Sequence, residues 1–437
     1  RPGFATRPAA GRWTSLSAIT GKISRHRLSY DARRLYDPGA DRMAIGRYIV
    51  KPAVKSATLA LAIVSALAMT GCGTSPVVGI LLPITGAASD YGESMKNGIE
   101  LALEFDQEIA PAKYQILWAD TASDPETGAA EVKRLADQGA KIFVAGTTSA
   151  TAAALLPMLD ETDTIAVSPS ASAPHLTKDS RRFFRVFASD ELEGRRAGRF
   201  LYDDRDKGSV LIYSSDSAQA HGIEPPFRLV FEQAMGGEIV GRVVIGSENW
   251  QQDSADLLAA GAPEAVYIIG YSNTTIEALQ HLRDKGYEGL ICATSAFYTA
   301  DVLEEYPELV EGVFFPQPAF DVKSESQLIQ DFVTTYRQRF GGDPDIYAAH
   351  AFDAMRVVNW VAANTPRFSA NDLRKALAFE IKEFSGVTGI IQFNDYGDVH
   401  HNPIMFIIRD GQVLNYERYI EEERAKIREK IKNLING

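Results

Sequence analysis

Three short segments rich in hydroxyl side chains hold most of the chemistry this sequence offers. They are Pro83-Ile84-Thr85-Gly86-Ala87-Ala88-Ser89-Asp90-Tyr91-Gly92, then Gly146-Thr147-Thr148-Ser149-Ala150-Thr151, then Ser168-Pro169-Ser170-Ala171-Ser172-Ala173-Pro174. Each follows a short apolar run. Where such a segment opens into a helix, unpaired backbone N–H groups and Ser or Thr hydroxyls together make a site for an anion, and a carboxylate suits it. The same residues are also ordinary helix caps and turn formers, so the weight rests on three of them following successive runs.

Residues for covalent or metal chemistry do not assemble in the same way. There is no Gly-x-x-x-x-Gly-Lys-Ser/Thr loop and no Gly-x-Ser-x-Gly elbow. Of seven histidines only His400 and His401 are adjacent, beside Asn402-Pro403, a pattern that reads as a solvated turn. His221 sits between Ala220 and Gly222 with no nucleophile to serve. The sequence therefore predicts neither an enzyme nor a cofactor or metal site.

The elements that must carry the hydroxyl segments alternate between short apolar runs and amphipathic stretches, the pattern of a mostly parallel sheet covered on both faces. Strands are expected at 77–82, 114–118, 141–145, 164–167, 183–186, 210–213, 265–269 and 289–292. Between them Asp124 caps a helix with Pro125 at its first position, and a helix is expected over 191–202. Two prolines, Pro316 and Pro318, are expected to stop a strand at 312–318. The chain then reads as helical until strands return at 389–393 and 404–408. In an open α/β sheet ligands collect beyond the carboxyl ends of the strands, where the hydroxyl segments lie.

Charge divides the chain unevenly. The first 71 residues hold 12 of the 45 Lys and Arg but only three of the 57 acids. The remainder has 33 basic against 54 acidic residues, a formal charge of −21, which disfavours nucleic acid and anionic surfaces as partners. Inside the basic part, Arg47, Lys51 and Lys55 precede the apolar run 57–69 and then Gly71-Cys72. That is the order of an export signal, and the run is too short to span a bilayer. Ala68-Met69-Thr70-Gly71-Cys72 resembles a bacterial lipobox, which implies acylation of Cys72. Met43 is the expected start, with 1–42 an upstream extension, 43–71 the signal and 72–76 a linker. Cys292, in an apolar run, is expected to be a buried thiol without a disulfide partner.

The order of the loops resembles the type I periplasmic solute-binding proteins, specifically the branched-chain amino-acid-binding family of ABC transporter receptors. The matching residues are Val78-Gly79-Ile80-Leu81-Leu82-Pro83-Ile84-Thr85-Gly86, Tyr91-Gly92 with Asn97-Gly98, Ser168-Pro169-Ser170-Ala171-Ser172, and Tyr347 with Ala351-Phe352-Asp353-Ala354. The resemblance implies two Rossmann-like lobes joined by a three-strand hinge: 77–189 with 318–385, and 190–317 with 386–420, before a C-terminal helix at 421–437 that reads as solvated. It implies a carboxylate site at Ser149 and Ser172 with the backbone of Ser170 and Ala171. Aromatic contacts are implied from Tyr91 and Tyr347, and contacts from the second lobe by His221, Tyr271 and Ser295. It further implies a permease partner in the inner membrane, a monomer in the periplasm or at the cell surface, and no catalysis; a sensor of the same fold without transport is the other implied class.

One departure concerns the ligand. Members that bind α-amino acids generally place an acid in the loop that here reads Thr294-Ser295-Ala296-Phe297-Tyr298, which has none before Asp301. An enclosed ammonium without a counter-charge is costly. The expectation is therefore either a substitute acid or a ligand without an ammonium, such as an aromatic acid stacked on Phe297 or Tyr298.

Overall fold

A computed structural model describes residues 76–106, 114–365, 367–400 and 402–436. The signal, Cys72 and the 1–42 extension lie outside the described residues. Fourteen strands are described: β1 (Val77–Leu82), β2 (Gln115–Asp120), β3 (Ala140–Val144), β4 (Ile165–Ser168), β5 (Phe183–Arg185), β6 (Ser209–Ser214), β7 (Glu238–Val244), β8 (Ala265–Ile269), β9 (Leu290–Ala293), β10 (Phe314–Gln317), β11 (Phe384–Gly386), β12 (Gly389–Ile391), β13 (Ile404–Arg409) and β14 (Gln412–Asn415). The helices used below are α1 (Ser89–Phe105), α2 (Pro125–Asp137), α3 (Ser149–Glu161), α4 (His175–Asp179), α5 (Asp190–Arg199), α6 (Ala218–Arg228), α7 (Trp250–Ala260), α8 (Ser272–Asp284), α9 (Ala300–Glu305), α10 (Gln327–Phe340), α11 (Ile346–Asn364), α12 (Ala370–Lys375) and α13 (Tyr416–Asn436).

Two sheets result. The first is all parallel in the order β2-β1-β3-β4-β5. The second runs β14-β13-β10-β9-β8-β6-β7, parallel except where β13 pairs antiparallel with β10 and β14. The central strands are continuous apolar runs because helices cover both faces: β1, β4 and β8 are buried along their whole length. In the first lobe α1 and α11 close one face, where Gly98 lies so near the Ala348 carbonyl that a Cβ would sit 2.1 Å from that oxygen. Only glycine permits that approach.

The chain passes between the sheets three times, after β5, after β10 and before β13. The third passage falls later than the sequence suggests. Residues 386–400 were expected in the second lobe, yet Val387, Ile391, Phe393 and Val399 pack in the first-lobe core. The cause is a tie to α11: the buried Asp353 carboxylate accepts from the Val387 N–H (3.0 Å), the Thr388 N–H (2.8 Å) and the Thr388 hydroxyl (2.7 Å). Arg185 strengthens the tie from β5. Its Nε donates to Asp398 at 2.5 Å, and its backbone N–H donates to the Gly397 carbonyl at 3.0 Å.

Two smaller expectations also change. Pro316 lies within β10 rather than ending it, opposite Met405 of β13, while β9 pairs with β10 only at Phe314–Cys292. A proline there forgoes no bond to β9. The C-terminal helix begins at Tyr416, not at 421.

Candidate functional site

The three hydroxyl segments meet at the carboxyl ends of β1, β3 and β4. Their serines have different occupations. Ser168, fully buried, donates to the Gly146 carbonyl (2.6 Å) and accepts from the Ser170 N–H (3.3 Å) and Ala171 N–H (3.0 Å). Ser170 donates its hydroxyl to the Thr147 carbonyl at 2.5 Å. These two serines brace the turn. Ser149, the first residue of α3, accepts from the Ala173 N–H at 3.2 Å and keeps its own proton available. Ser172 is half-buried, and its carbonyl accepts from the Asp190 N–H at 3.0 Å. Thr148, not Ser149, caps α3 by accepting from the Thr151 N–H at 3.1 Å. Ser149 is thereby left for another use.

Aromatic rings stand beside these loops. Tyr91, in the first turn of α1, is exposed and meets Tyr347 of α11 edge-on with ring centres 4.6 Å apart. Phe187 lies parallel to Tyr347 on its other side at 6.3 Å. Burial raises the Tyr347 phenol well above its usual range, helped by the neighbouring Tyr91, Asp345, Glu193 and Tyr271. Those last two residues belong to the second lobe, so the two lobes meet electrostatically at Tyr347.

What the second lobe brings is acid. Asp190 and Glu193 sit in the first turn of α5, each about 5% exposed or little more, on the helix face that carries Gly194 and Ala197 into the interior. Ser189 caps this helix at the Leu192 N–H, leaving the two carboxylates other work. Glu193 accepts from the Ser295 N–H and the Ser295 hydroxyl, both at 2.8 Å. Burial raises its pKa to about 8, with a further push from Asp190 and an opposing pull from Ser295. Burial likewise raises Asp190 to about 6, against the pull of Ser172, Arg185 and His175. Burial is the main cause of both shifts, and neither acid has an ion-pair partner among the described residues.

On the side facing α6 the packing is tight. A Cβ on Gly222 would stand 3.2 Å from the Asp190 carboxylate, and one on Gly194 would stand 2.3 Å from the Ile223 carbonyl. Behind Glu193 the buried Tyr267 hydroxyl has no hydrogen-bond partner among the described residues. Its phenol is pushed far up by burial, Glu193, Cys292 and Asp190. Cys292 is buried as expected, and burial and Glu193 hold its thiol protonated.

The sequence expectations divide accordingly. Tyr91, Ser149, Ser172, Tyr347, Tyr271 and the Ser295 loop gather around the acid pair or the hydroxyl turn. Tyr271, exposed at the start of α8, is raised by burial and by Asp190. His221 lies in the first turns of α6 rather than in a loop, exposed and 3.3 Å from Asp216. Phe297 is corrected: it is 0% exposed and packs edge-on against Phe315 at 5.3 Å in the second-lobe core. Tyr298 stacks on Phe315 at 5.4 Å. The Phe297 ring is not presented for stacking on a ligand, because a short helical turn at Ser295–Phe297 folds the segment back into the core.

An acid from outside the 294–298 loop reaches it: Glu193 of α5, through Ser295. Sequence reading passed over it because Asp190-Glu191-Leu192-Glu193 looks like acids favoured in any first helical turn. A groove of about 240 Å³ on the outer side of α5 is a separate feature. Its Arg195 and Arg196 are already paired with Glu191 and Asp204.

Two parallel-stranded α/β lobes joined by three crossings, with loops facing each other across the joint, define the type I periplasmic binding protein fold. The chain belongs to the periplasmic binding protein family, whose sequence profile matches residues 76–411. Among curated relatives, the Leu/Ile/Val-binding protein homolog 1 of Brucella abortus is 22% identical over 347 residues, 77% of this chain and 91% of the relative. Among solved structures, a putative branched-chain amino acid ABC transporter protein from Rhodospirillum rubrum superposes with a TM-score of 0.68 at 23% identity, covering 78% of this chain and 99% of that one. A solute-binding protein from R. palustris, solved with benzoate, gives a TM-score of 0.63 at 18% identity over 78% of this chain and 95% of its own. This is a family of binding receptors rather than enzymes, and it works outside the cytoplasm.

Proposed function

We infer that this protein is the extracytoplasmic substrate-binding component of an ABC importer and that its ligand carries both a carboxylate and a cationic nitrogen, as an α-amino acid does. The observation that carries the reading is the Asp190–Glu193 pair, two buried acids with no ion-pair partner among the described residues, opposite a turn of hydroxyls. The Ser149 and Ser172 hydroxyls take the ligand carboxylate, while the Ser170 and Ala171 N–H groups, already donated to Ser168, hold the turn in place. Asp190 and Glu193 take its ammonium, and Tyr91, Tyr347 and Tyr271 wall the space between them. The names of the relatives, which are Leu/Ile/Val-binding homologues and branched-chain amino acid transporter proteins, agree with this class.

In this reading the first lobe binds the ligand first and the second closes over it. The receptor is a monomer, held in the periplasm or at the cell surface by acylated Cys72, and delivers its ligand to an inner-membrane permease. ATP is hydrolysed by a different subunit. The test is a thermal-shift screen of α-amino acids, their amides and ammonium-free acids. Saturation at about 100 times Kd adds roughly 2.7 kcal/mol to the folded state, a shift of a few degrees. A shift with α-amino acids is expected; shifts confined to ammonium-free acids would overturn the assignment of the acid pair.

A further inference from the structure

The last helix leaves the body after its first turn. Tyr416 is held edge-on by Phe200 (5.3 Å) and Phe314 (5.4 Å), and its hydroxyl accepts from Arg205 at 2.7 Å. Tyr419 packs against the same core, and Arg418 pairs with Asp321. From residue 421 onward nearly every described side chain is exposed. The helix lies wholly beyond residue 411, where the match to the family ends.

This exposed part is not polar all round. Ile420, Ile427, Ile431 and Leu434 fall on one face of the helix. The last three are 54%, 51% and 83% exposed, among the most open apolar side chains described. In proteins most of a helix's stability comes from burying such a face. The question is what covers it.

Charge answers in favour of a lipid surface. From residue 424 to 436 the helix holds Arg424, Lys426, Arg428, Lys430 and Lys432 against one acid, Glu429, and Lys426 also pairs with Glu423 just before. Arg424, Arg428 and Lys430 border the apolar face, while Glu429 and Asn433 lie opposite it. Long cations beside an apolar stripe let their stems lie along acyl chains while their heads reach lipid phosphates. The rest of the chain beyond residue 71 is strongly acidic, so this segment reverses the sign locally. A second copy is a poor match: antiparallel pairing centred on Ile427 sets Lys426 against Arg428 and Arg424 against Lys430, like against like.

We propose that residues 424–436 dock on a bilayer containing anionic lipid, with Ile427, Ile431 and Leu434 entering the headgroup boundary and the flanking Arg and Lys contacting anionic headgroups. The acidic body is held off the same surface by repulsion. The second lobe, to which the helix is fixed, is thus the end tethered closest to the membrane.

Vesicle flotation of the full chain in a Cys72→Ala background tests this, since all variants share the same N-terminal segment and carry no acyl chain. Vesicles are phosphatidylcholine alone or with about one-third phosphatidylglycerol. The parent is expected to float with the anionic vesicles and to be released by salt. Both Ile427→Glu/Ile431→Glu/Leu434→Glu and Arg424→Gln/Arg428→Gln/Lys430→Gln are expected to lower the bound fraction at least about tenfold. An unchanged thermal midpoint of each variant shows that the body is intact. Equal flotation of parent and apolar variant, or equal flotation with neutral and anionic vesicles, overturns the proposal. So does a vesicle-free dimer that the apolar variant dissolves, which would assign the face to a second copy.

Discussion

The two lobes face each other with opposite equipment. On the first, the Ser149 and Ser172 hydroxyls are neutral groups on a turn braced by Ser168 and its bonds to Gly146, Ser170 and Ala171. On the second, Asp190 and Glu193 are acids that burial pushes to about 6 and about 8. Neutral donors fixed in place cost little to maintain without ligand, so the first lobe is complete before anything binds. Buried acids without an ion-pair partner are costly, so the second lobe gains most from ligand. The difference assigns capture to one lobe and selectivity for a cation to the other.

The comparison breaks most severely at a residue that belongs to neither surface. Phe297→Ala should cost about 3 to 5 kcal/mol of folding stability, the usual price of emptying a buried aromatic site. Affinity measured on the fraction that remains folded should stay near the parent's. Loss of affinity with stability intact, read by calorimetry and denaturant melts together, would return Phe297 to the ligand.

Next in size, Ser149→Ala with Ser172→Ala should weaken a carboxylate ligand by about 2 to 5 kcal/mol, taking about 1 to 3 for each hydrogen bond to a charged group. Unchanged affinity in the double variant would remove the first lobe from the account. Replacing Glu193 by Gln should weaken an ammonium ligand by about 1.5 to 3 kcal/mol. The ligand-free variant should be at least as stable as the parent, since an uncompensated buried acid is gone.

The smallest effect is on pH. A carboxylate whose folded-state pKa lies above its unfolded value contributes stability that is full at acid pH and is lost as pH rises through the folded value. For Glu193 that window runs from its ordinary value near 4.5 to about 8. The melting point of ligand-free Glu193→Gln should therefore gain on the parent as pH rises from about 5 to 8. Affinity for an ammonium ligand should rise over the same range, because the free receptor then no longer holds the proton that the ligand displaces. A parent and variant whose melting points track each other across this range would show that Glu193 is not proton-bound in the free receptor.

Much of the scaffold was legible because parallel strands covered on both faces are apolar along their whole length. The runs at 77–82 and 265–269 coincide with β1 and β8. The strands passed over were at the sheet edges: β7, with Glu238, Gly241 and Arg242, and β14 lack a continuous apolar run. The late third crossing was hidden because its cause is a tertiary cap, Asp353 on Val387 and Thr388, with a sequence separation that no local pattern reveals.

At the site, hydroxyl loops after strands were legible from their place in a parallel sheet. The acid pair was not, because an acid in a first helical turn has an ordinary structural use. Only packing shows that Glu193 turns inward to the Ser295 loop. Phe297 was misread for the converse reason: position after a strand suggested a loop, and the chain folded the ring back beneath the sheet.

The most direct test uses matched pairs of probes, leucine with 4-methylpentanoate and phenylalanine with 3-phenylpropionate, titrated by calorimetry into the parent and into Glu193→Gln. The parent should bind at least one amino acid at least about tenfold more tightly than its ammonium-free partner, a difference of about 1.4 kcal/mol, and the variant should lose that margin. Equal or tighter binding of the ammonium-free acids by the parent would contradict the assignment of the second lobe to the cation.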